Sequence, residues 1–199
     1  IGYYDGQEHS SCVNSELDIK QCKYCSFRDI SRVYTRMDFR GFEHLQEDLT
    51  NRPYSIYLAY FGGDKIKCGV CREERFEARL KEQGALYYIN LMKFPNSNDA
   101  YNMEQLLQHT FGFKNSMRTS TKLTVMNKLN TQHLENALKE LKETSPFSDL
   151  LLENSKVEKI EYNVPTNFTF SNDSLDGKII GTKGSLLFFS NNGDDFAID

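Results

Sequence analysis

The chain has 199 residues, 39 % hydrophobic and 26 % charged, a balance that supports a packed core and excludes wholesale disorder. A net charge of −4 and a pI near 5.6 exclude a general nucleic-acid coat, which needs Lys and Arg in excess over a whole face; a local basic patch on an acidic body remains compatible. The longest apolar runs, such as Leu186-Leu187-Phe188-Phe189, fall far short of the roughly 20 residues that span a bilayer, and no charged, apolar leader opens the sequence. The expectation is a cytoplasmic protein with no membrane association.

Residues 1–53 are polar and poorly periodic and end in Asn51-Arg52-Pro53. They are expected to form a loop-rich N-terminal module anchored by Phe39, Phe42 and Leu45. The five cysteines are Cys12, Cys22, Cys25, Cys68 and Cys71, an odd number that argues against a disulfide framework. The two-residue gap of Cys22-Lys-Tyr-Cys25 lets both thiolates reach one tetrahedral Zn²⁺. With Cys12 and His9 upstream, the spacing offers a complete set of ligands for a structural zinc, and His44 is a second candidate for the fourth position. Cys68 and Cys71 could join Cys22 and Cys25, but Cys68 falls in an apolar strand pattern where a buried cysteine acts as a small hydrophobe. Reduced thiols without metal are the plain alternative. Arg28, Arg32, Arg36 and Arg40 recur every four residues, a basic stripe if helical and otherwise a solvated face.

A second segment, 54–115, follows. Ser55 to Phe61 is a β-type run, Gly62-Gly63-Asp64 a turn, and Lys65 to Cys71 a second strand, together a hairpin. A helix is expected over Arg72 to Gln83, stopped by Gly84, then a strand over Leu86 to Phe94 halted at Pro95. Asn98 or Asp99 is expected to cap a second helix running to about Thr110, with Ala100, Met103, Leu106 and Leu107 on one face. The last segment, 116–199, holds an amphipathic helix over Thr131 to Glu143 and then strand patterns broken by Gly177, Gly181, Gly184 and Gly193, read as a small antiparallel sheet. Asn167-Phe-Thr169 and Asn172-Asp-Ser174 match the glycosylation triplet and are read as chance. The fold class is therefore α+β in three parts.

The middle segment carries the candidate chemistry. The hairpin brings Tyr57 near Lys67 and Gly69. A helix from Arg72 would set Arg72, Arg75 and Arg79 on one face, and the next helix offers Glu104 beside Met103 and Leu107. A phenol, a guanidinium and a carboxylate on one sheet face suit phosphodiester cleavage. Glu104 would hold Mg²⁺, Arg79 would stabilise charge on the phosphate, and Tyr57 would transfer a proton. Lys67, Arg72 and Arg75 would contact DNA or RNA. A non-catalytic nucleic-acid-binding module and a protein-interaction factor are the rival readings.

Ser55-Ile56-Tyr57, Lys67-Cys68-Gly69, Arg79 and Glu104 resemble the two motifs, helical Arg and helical Glu of the GIY-YIG nuclease superfamily, closest to branches with Lys-Ile-Gly in the second motif. The resemblance implies a GIY-YIG-like central domain with one Mg²⁺ on the Glu, the Arg on the phosphate and the Tyr as base or proton relay. The chain departs from the pattern at Ser55, Lys67 and Cys71. A longer resemblance is to a mostly archaeal and bacterial family of unknown function, in Cys12…Cys22-x2-Cys25, Lys65-Ile66-Lys67-x-Gly69-Val70, Arg79-Leu80-x-Glu82-Gln83-Gly84-Ala85 and Gly181-Thr-Lys183-Gly184. It implies an architecture without an assigned activity.

Overall fold

The computed structural model describes residues 2–13, 21–36, 38–165, 167–171 and 176–198, with the side chains of Thr35 and Arg36 left aside. The chain divides into two compact units, Ile1–Asn51 and Arg52–Asp199. In the first, β1 (Gly2–Tyr4) pairs antiparallel with β2 (His9–Ser11), followed by the short helices α1 (Lys23–Arg28), α2 (Ser31–Arg36) and α3 (Gln46–Thr50). Val33, Phe42 and Leu49 form its core, with Ile30, Phe39 and Leu45 packed against them. The expected anchors are thus in place, Phe39 and Phe42 in loop segments and Leu45 at the end of a 3₁₀ turn over Glu43–Leu45.

The arginine stripe does not exist as one helix face. Asp29 ends α1 in an extended conformation, and its carboxylate accepts the Ser31 amide at 2.9 Å, so the chain restarts at α2. Arg28 and Arg32 therefore stand on different helices, and Arg32 is buried. The Arg36 side chain is outside the described residues.

The second unit opens with β3 (Tyr54–Tyr60) and β4 (Ile66–Arg72), a hairpin turned by Gly62 and Gly63, both at positive φ. Its helix α4 spans Phe76–Gln83 after a 3₁₀ turn. The expected start at Arg72 is corrected: Arg72 still pairs with Tyr54 in the sheet, and the Glu73 amide donates to Pro53 O at 2.9 Å, which holds the chain extended one turn longer. Gly84 stops α4 in the left-handed conformation. β5 (Tyr87–Phe94) pairs on the other side of β3.

α5 (Ser97–Phe111) is capped by Asn96, not by Asn98 or Asp99. The Asn96 side-chain oxygen accepts the Asp99 amide at 2.9 Å, so both expected caps lie in the first turn. Then come α6 (Thr119–Val125), α7 (Gln132–Glu143) and α8 (Phe147–Leu150). β6 (Glu158–Lys159) joins β5 and completes an antiparallel sheet in the order β4-β3-β5-β6.

Every residue of β3 is buried because both faces of the sheet are covered. One face packs Ile56, Leu58 and Ile89 against Leu107 of α5, Leu134 and Leu141 of α7 and Phe147 of α8. The other packs Tyr57, Ala59 and Cys71 against Leu80 of α4. A β-bulge between the β3 partners Met92 and Asn90 leaves Leu91 without a partner opposite, and its carbonyl accepts the Leu152 amide at 2.8 Å. That shift lets Ile89, Leu91 and Met92 all join the first face.

A second sheet holds β7 (Thr169–Phe170), β8 (Lys178–Lys183), β9 (Leu186–Asn191) and β10 (Asp194–Ile198), in the order β7-β10-β9-β8. β8, β9 and β10 form an antiparallel meander as the pattern suggests, but β7 pairs parallel with β10, so the sheet is mixed. Asn167 is exposed, whereas Asn172-Asp-Ser174 lies outside the described residues. No helix among the described residues is long and apolar enough to cross a membrane.

Gly84 and Gly184 meet backbone to backbone. A Cβ built on Gly84 would lie 3.2 Å from the Gly184 Cα, and both glycines have positive φ, +73° and +64°. The Glu-Gln-Gly-Ala turn after α4 and the Gly-Thr-Lys-Gly turn after β8 are therefore one structural joint, where a side chain would push on the facing backbone and strain its own positive φ.

Candidate functional site

Tyr57 and Lys67 face the α4 side of the sheet on neighbouring strands, with Tyr57 directly opposite Gly69. The lack of a side chain at Gly69 is what admits the ring: an added Cβ would lie 2.7 Å from the Tyr57 hydroxyl oxygen. Phe76 of α4 packs edge-on against Tyr57 at 5.7 Å. Gln83 at the end of α4 ties the two strand residues together. Its amide nitrogen donates to the Tyr57 hydroxyl at 2.6 Å, and its oxygen accepts from the Lys67 ammonium.

Arg79 and Glu104 come to this pair from helices on opposite faces of the sheet. Glu104 of α5 lies by the edge strand β4, where the next turn of the same helix places Gln108 against the Cys68 carbonyl at 3.4 Å. Both Arg79 and Glu104 act electrostatically on Tyr57, Lys67 and Tyr101. Burial pushes the Glu104 carboxyl up to about 7, opposed by the Lys67 charge and a hydrogen bond from Gln108. Burial pushes Lys67 down to about 8, with the Arg79 charge adding to the effect and Glu104 opposing it. Tyr57 is driven well above the ordinary phenol range, chiefly by burial, so it stays protonated.

Hydrogen bonds thus join Tyr57, Lys67 and Gln83, the last a member that the residue pattern did not single out, and the charges of Arg79 and Glu104 bear on Tyr57 and Lys67. Gln83 immediately precedes Gly84, the glycine that ends α4. The donor set near Glu104 suits one Mg²⁺ only in part. Among the described residues Glu104 belongs to no group of three or more metal-ligating side chains, so Glu104 would be the protein's contribution to a site whose remaining ligands come from elsewhere.

The other two expected nucleic-acid contacts are occupied elsewhere. Arg72 pairs with Glu74 at 3.0 Å, and being a strand residue it shares no helix face with Arg75 and Arg79. Arg75 pairs with Glu82 at 2.5 Å. Arg79 reaches Glu82 only at 3.7 Å and is half exposed, so its guanidinium has freedom to meet a ligand.

In the first unit, the Sγ atoms of Cys12, Cys22 and Cys25 lie within 4.8 Å of one another and could hold a metal ion such as zinc. Cys22 caps α1: its sulfur accepts the Cys25 amide at 3.4 Å, which lowers its pKa, while burial pushes Cys25 up to about 12. Cys12 and Cys22 approach to 3.6 Å without a disulfide. That separation is close to what two thiolates on one tetrahedral Zn²⁺ adopt, given Zn–S bonds of about 2.3 Å.

Neither His9 nor His44 belongs to the cluster. His9 starts β2 opposite Tyr4, and its imidazole lies against Gly2 of the neighbouring strand. The segment 14–20, between Cys12 and Cys22, is outside the described residues. Cys68 and Cys71 cannot share an ion, because an odd separation along β4 sends them to opposite faces of the sheet. All five thiols are free.

A family model described as "Protein of unknown function (DUF2797)" matches residues 7–198. No curated protein and no solved structure matches the chain. With nearly the whole sequence matched, both units included, the chain belongs to the DUF2797 family.

Proposed function

We propose that this is a nucleic-acid-directed protein whose second unit is a GIY-YIG-like, divalent-metal-dependent phosphodiesterase. One observation carries the reading: Gln83 ties the buried Tyr57 and the half-buried Lys67 together by hydrogen bonds, where the charges of Arg79 and Glu104 both bear. Glu104 would hold Mg²⁺, which when bound supplies positive charge against the phosphate oxygens. Arg79, half exposed, would grip a non-bridging oxygen of the phosphate. Tyr57 accepts its hydrogen bond from Gln83 and keeps its own proton, so its role is to deliver or relay a proton rather than to take one. Lys67, held by Gln83, adds a cation where the superfamily motif carries a second tyrosine.

The Cys12, Cys22 and Cys25 cluster is read as a structural zinc site. It would staple a unit whose apolar cluster, among the described residues, gathers six side chains around Val33, Phe42 and Leu49. Metal-dependent cleavage of DNA or RNA tests the catalytic reading. Wild type should cleave with Mg²⁺ or Mn²⁺ and Glu104→Ala should not; equal rates in the two would remove it. A second reading, a binding module on the same fold that does not cut, is favoured by Lys67 in the second-tyrosine position. It predicts binding that weakens steeply with salt and no product.

A further inference from the structure

We propose that the outer face of α1 is a stacking platform for single-stranded nucleic acid. The inference rests on the nucleic-acid reading above but concerns a different surface, which the proposed cleavage does not use. Cys25 points inward from α1 to the sulfur cluster, and the remaining positions turn Lys23, Tyr24, Phe27 and Arg28 outward. Tyr24 and Phe27 are 50 % and 52 % exposed, a large outlay of aromatic surface for a six-residue helix. Positions three and four apart share one helix face, so the two rings and Arg28 form a continuous patch.

The rings are held in place. Arg28 lies over Tyr24 at 4.7 Å and donates to the Tyr3 hydroxyl at 3.4 Å, while Tyr3 packs edge-on to Tyr24 at 6.4 Å. Phe27 rests on the guanidinium of Arg32 at 4.3 Å, and Arg32 is itself buried and fixed by Asp38 at 2.9 Å. Arg40 borders the same ring at 5.8 Å, its guanidinium itself paired with Asp38 at 2.7 Å. Half-exposed rings interleaved with cations answer both parts of a single strand. Unpaired bases offer π-faces to the rings, and the phosphates meet Lys23 and Arg28. A duplex offers no free base face, so it is discriminated against. Because α1 begins at the cysteine cluster, a metal there would fix the platform's orientation.

The test is fluorescence anisotropy of the full-length protein with labelled oligothymidylate, oligouridylate and a duplex of equal length, without added divalent cation. Wild type should bind single strands well above the duplex, with an affinity that falls steeply as salt is added. Tyr24→Leu and Phe27→Leu keep apolar bulk but remove the π-face, and each should weaken single-strand binding roughly tenfold. Tyr24→Phe keeps the ring and should bind like wild type. Unchanged binding in both Leu variants, duplex binding as tight as single-strand binding, or no binding to either single strand overturns the proposal. The relative strength of the thymidylate and uridylate probes tells DNA from RNA. Single-strand binding that needs Tyr24 and Phe27, without any metal-dependent cleavage, would remove the phosphodiesterase reading and keep this one. Cleavage that needs Glu104, with binding indifferent to the Leu variants, would do the reverse.

Discussion

Tyr57 and Gly69 face each other across the β3–β4 pair so closely that a Cβ on Gly69 would lie 2.6 Å from the ring carbon bearing the Tyr57 hydroxyl. The ring is fully buried and has nowhere to yield, since Phe76 packs on it and Gln83 holds its hydroxyl. Gly69→Ala should therefore destabilise the second unit by about 1–3 kcal/mol, the usual cost of overpacking a filled core. It should also detach Tyr57 from Gln83. Urea denaturation measures the first effect. An alanine variant as stable as wild type would show that the ring has room to move.

Glu104 links burial to pH. Its carboxyl is raised from the ordinary glutamate value of 4.5 to about 7, so the folded protein favours the protonated form. Stability from this group is fully present below about pH 4.5 and is lost as pH rises through about 7. Glu104→Gln keeps the neutral form at every pH. It should match wild type in acid and exceed it by about 1–2 kcal/mol near pH 8, a figure reduced for partial solvent access. Thermal unfolding across pH reads the difference; a gain confined to acid would contradict it.

The sulfur cluster predicts metal stoichiometry. Cys22→Ser removes a thiolate of the proposed zinc site while its hydroxyl can still cap α1, so zinc content should fall and any loss of thermal stability in the first unit reports the metal. His9→Ala should leave zinc content unchanged, because the imidazole stands outside the cluster. Elemental analysis of the purified proteins decides. Zinc lost on replacing His9 would restore it as a ligand.

The helical stripe of α7 was legible because leucines at a helical repeat must bury together. Leu134, Ala137, Leu138 and Leu141 are all buried, and Leu134 is completely enclosed. Leu134→Ala should cost about 2–5 kcal/mol. A loss well under 1 kcal/mol would mean that the site collapses around the smaller side chain.

The hairpin at Gly62-Gly63 and the stop at Gly84 were readable for a similar local reason, since positive φ demands glycine. What stayed hidden was non-local. Arg72 carries the charge and spacing of a helix residue, and only its pairing with Tyr54 keeps it in the strand. Arg28, Arg32, Arg36 and Arg40 show a helical period, but Asp29 breaks it by capping the next helix. The bulge at Leu91 and the recruitment of β6 into the central sheet depend on partners tens of residues away. In the site, Tyr57, Lys67, Arg79 and Glu104 could be named from their order. Gln83, which binds two of them, could not, because its role appears only when the end of α4 meets β3 and β4.

The central claim is that Arg79 and Glu104 serve one site. A double-mutant cycle on metal-dependent cleavage rate tests it most directly, using wild type, Arg79→Ala, Glu104→Ala and the double variant. Groups that act together on one phosphate should show a double variant scarcely slower than the worse single one. Strictly multiplicative losses, or a wild type that cleaves neither DNA nor RNA with Mg²⁺ or Mn²⁺, would contradict the account.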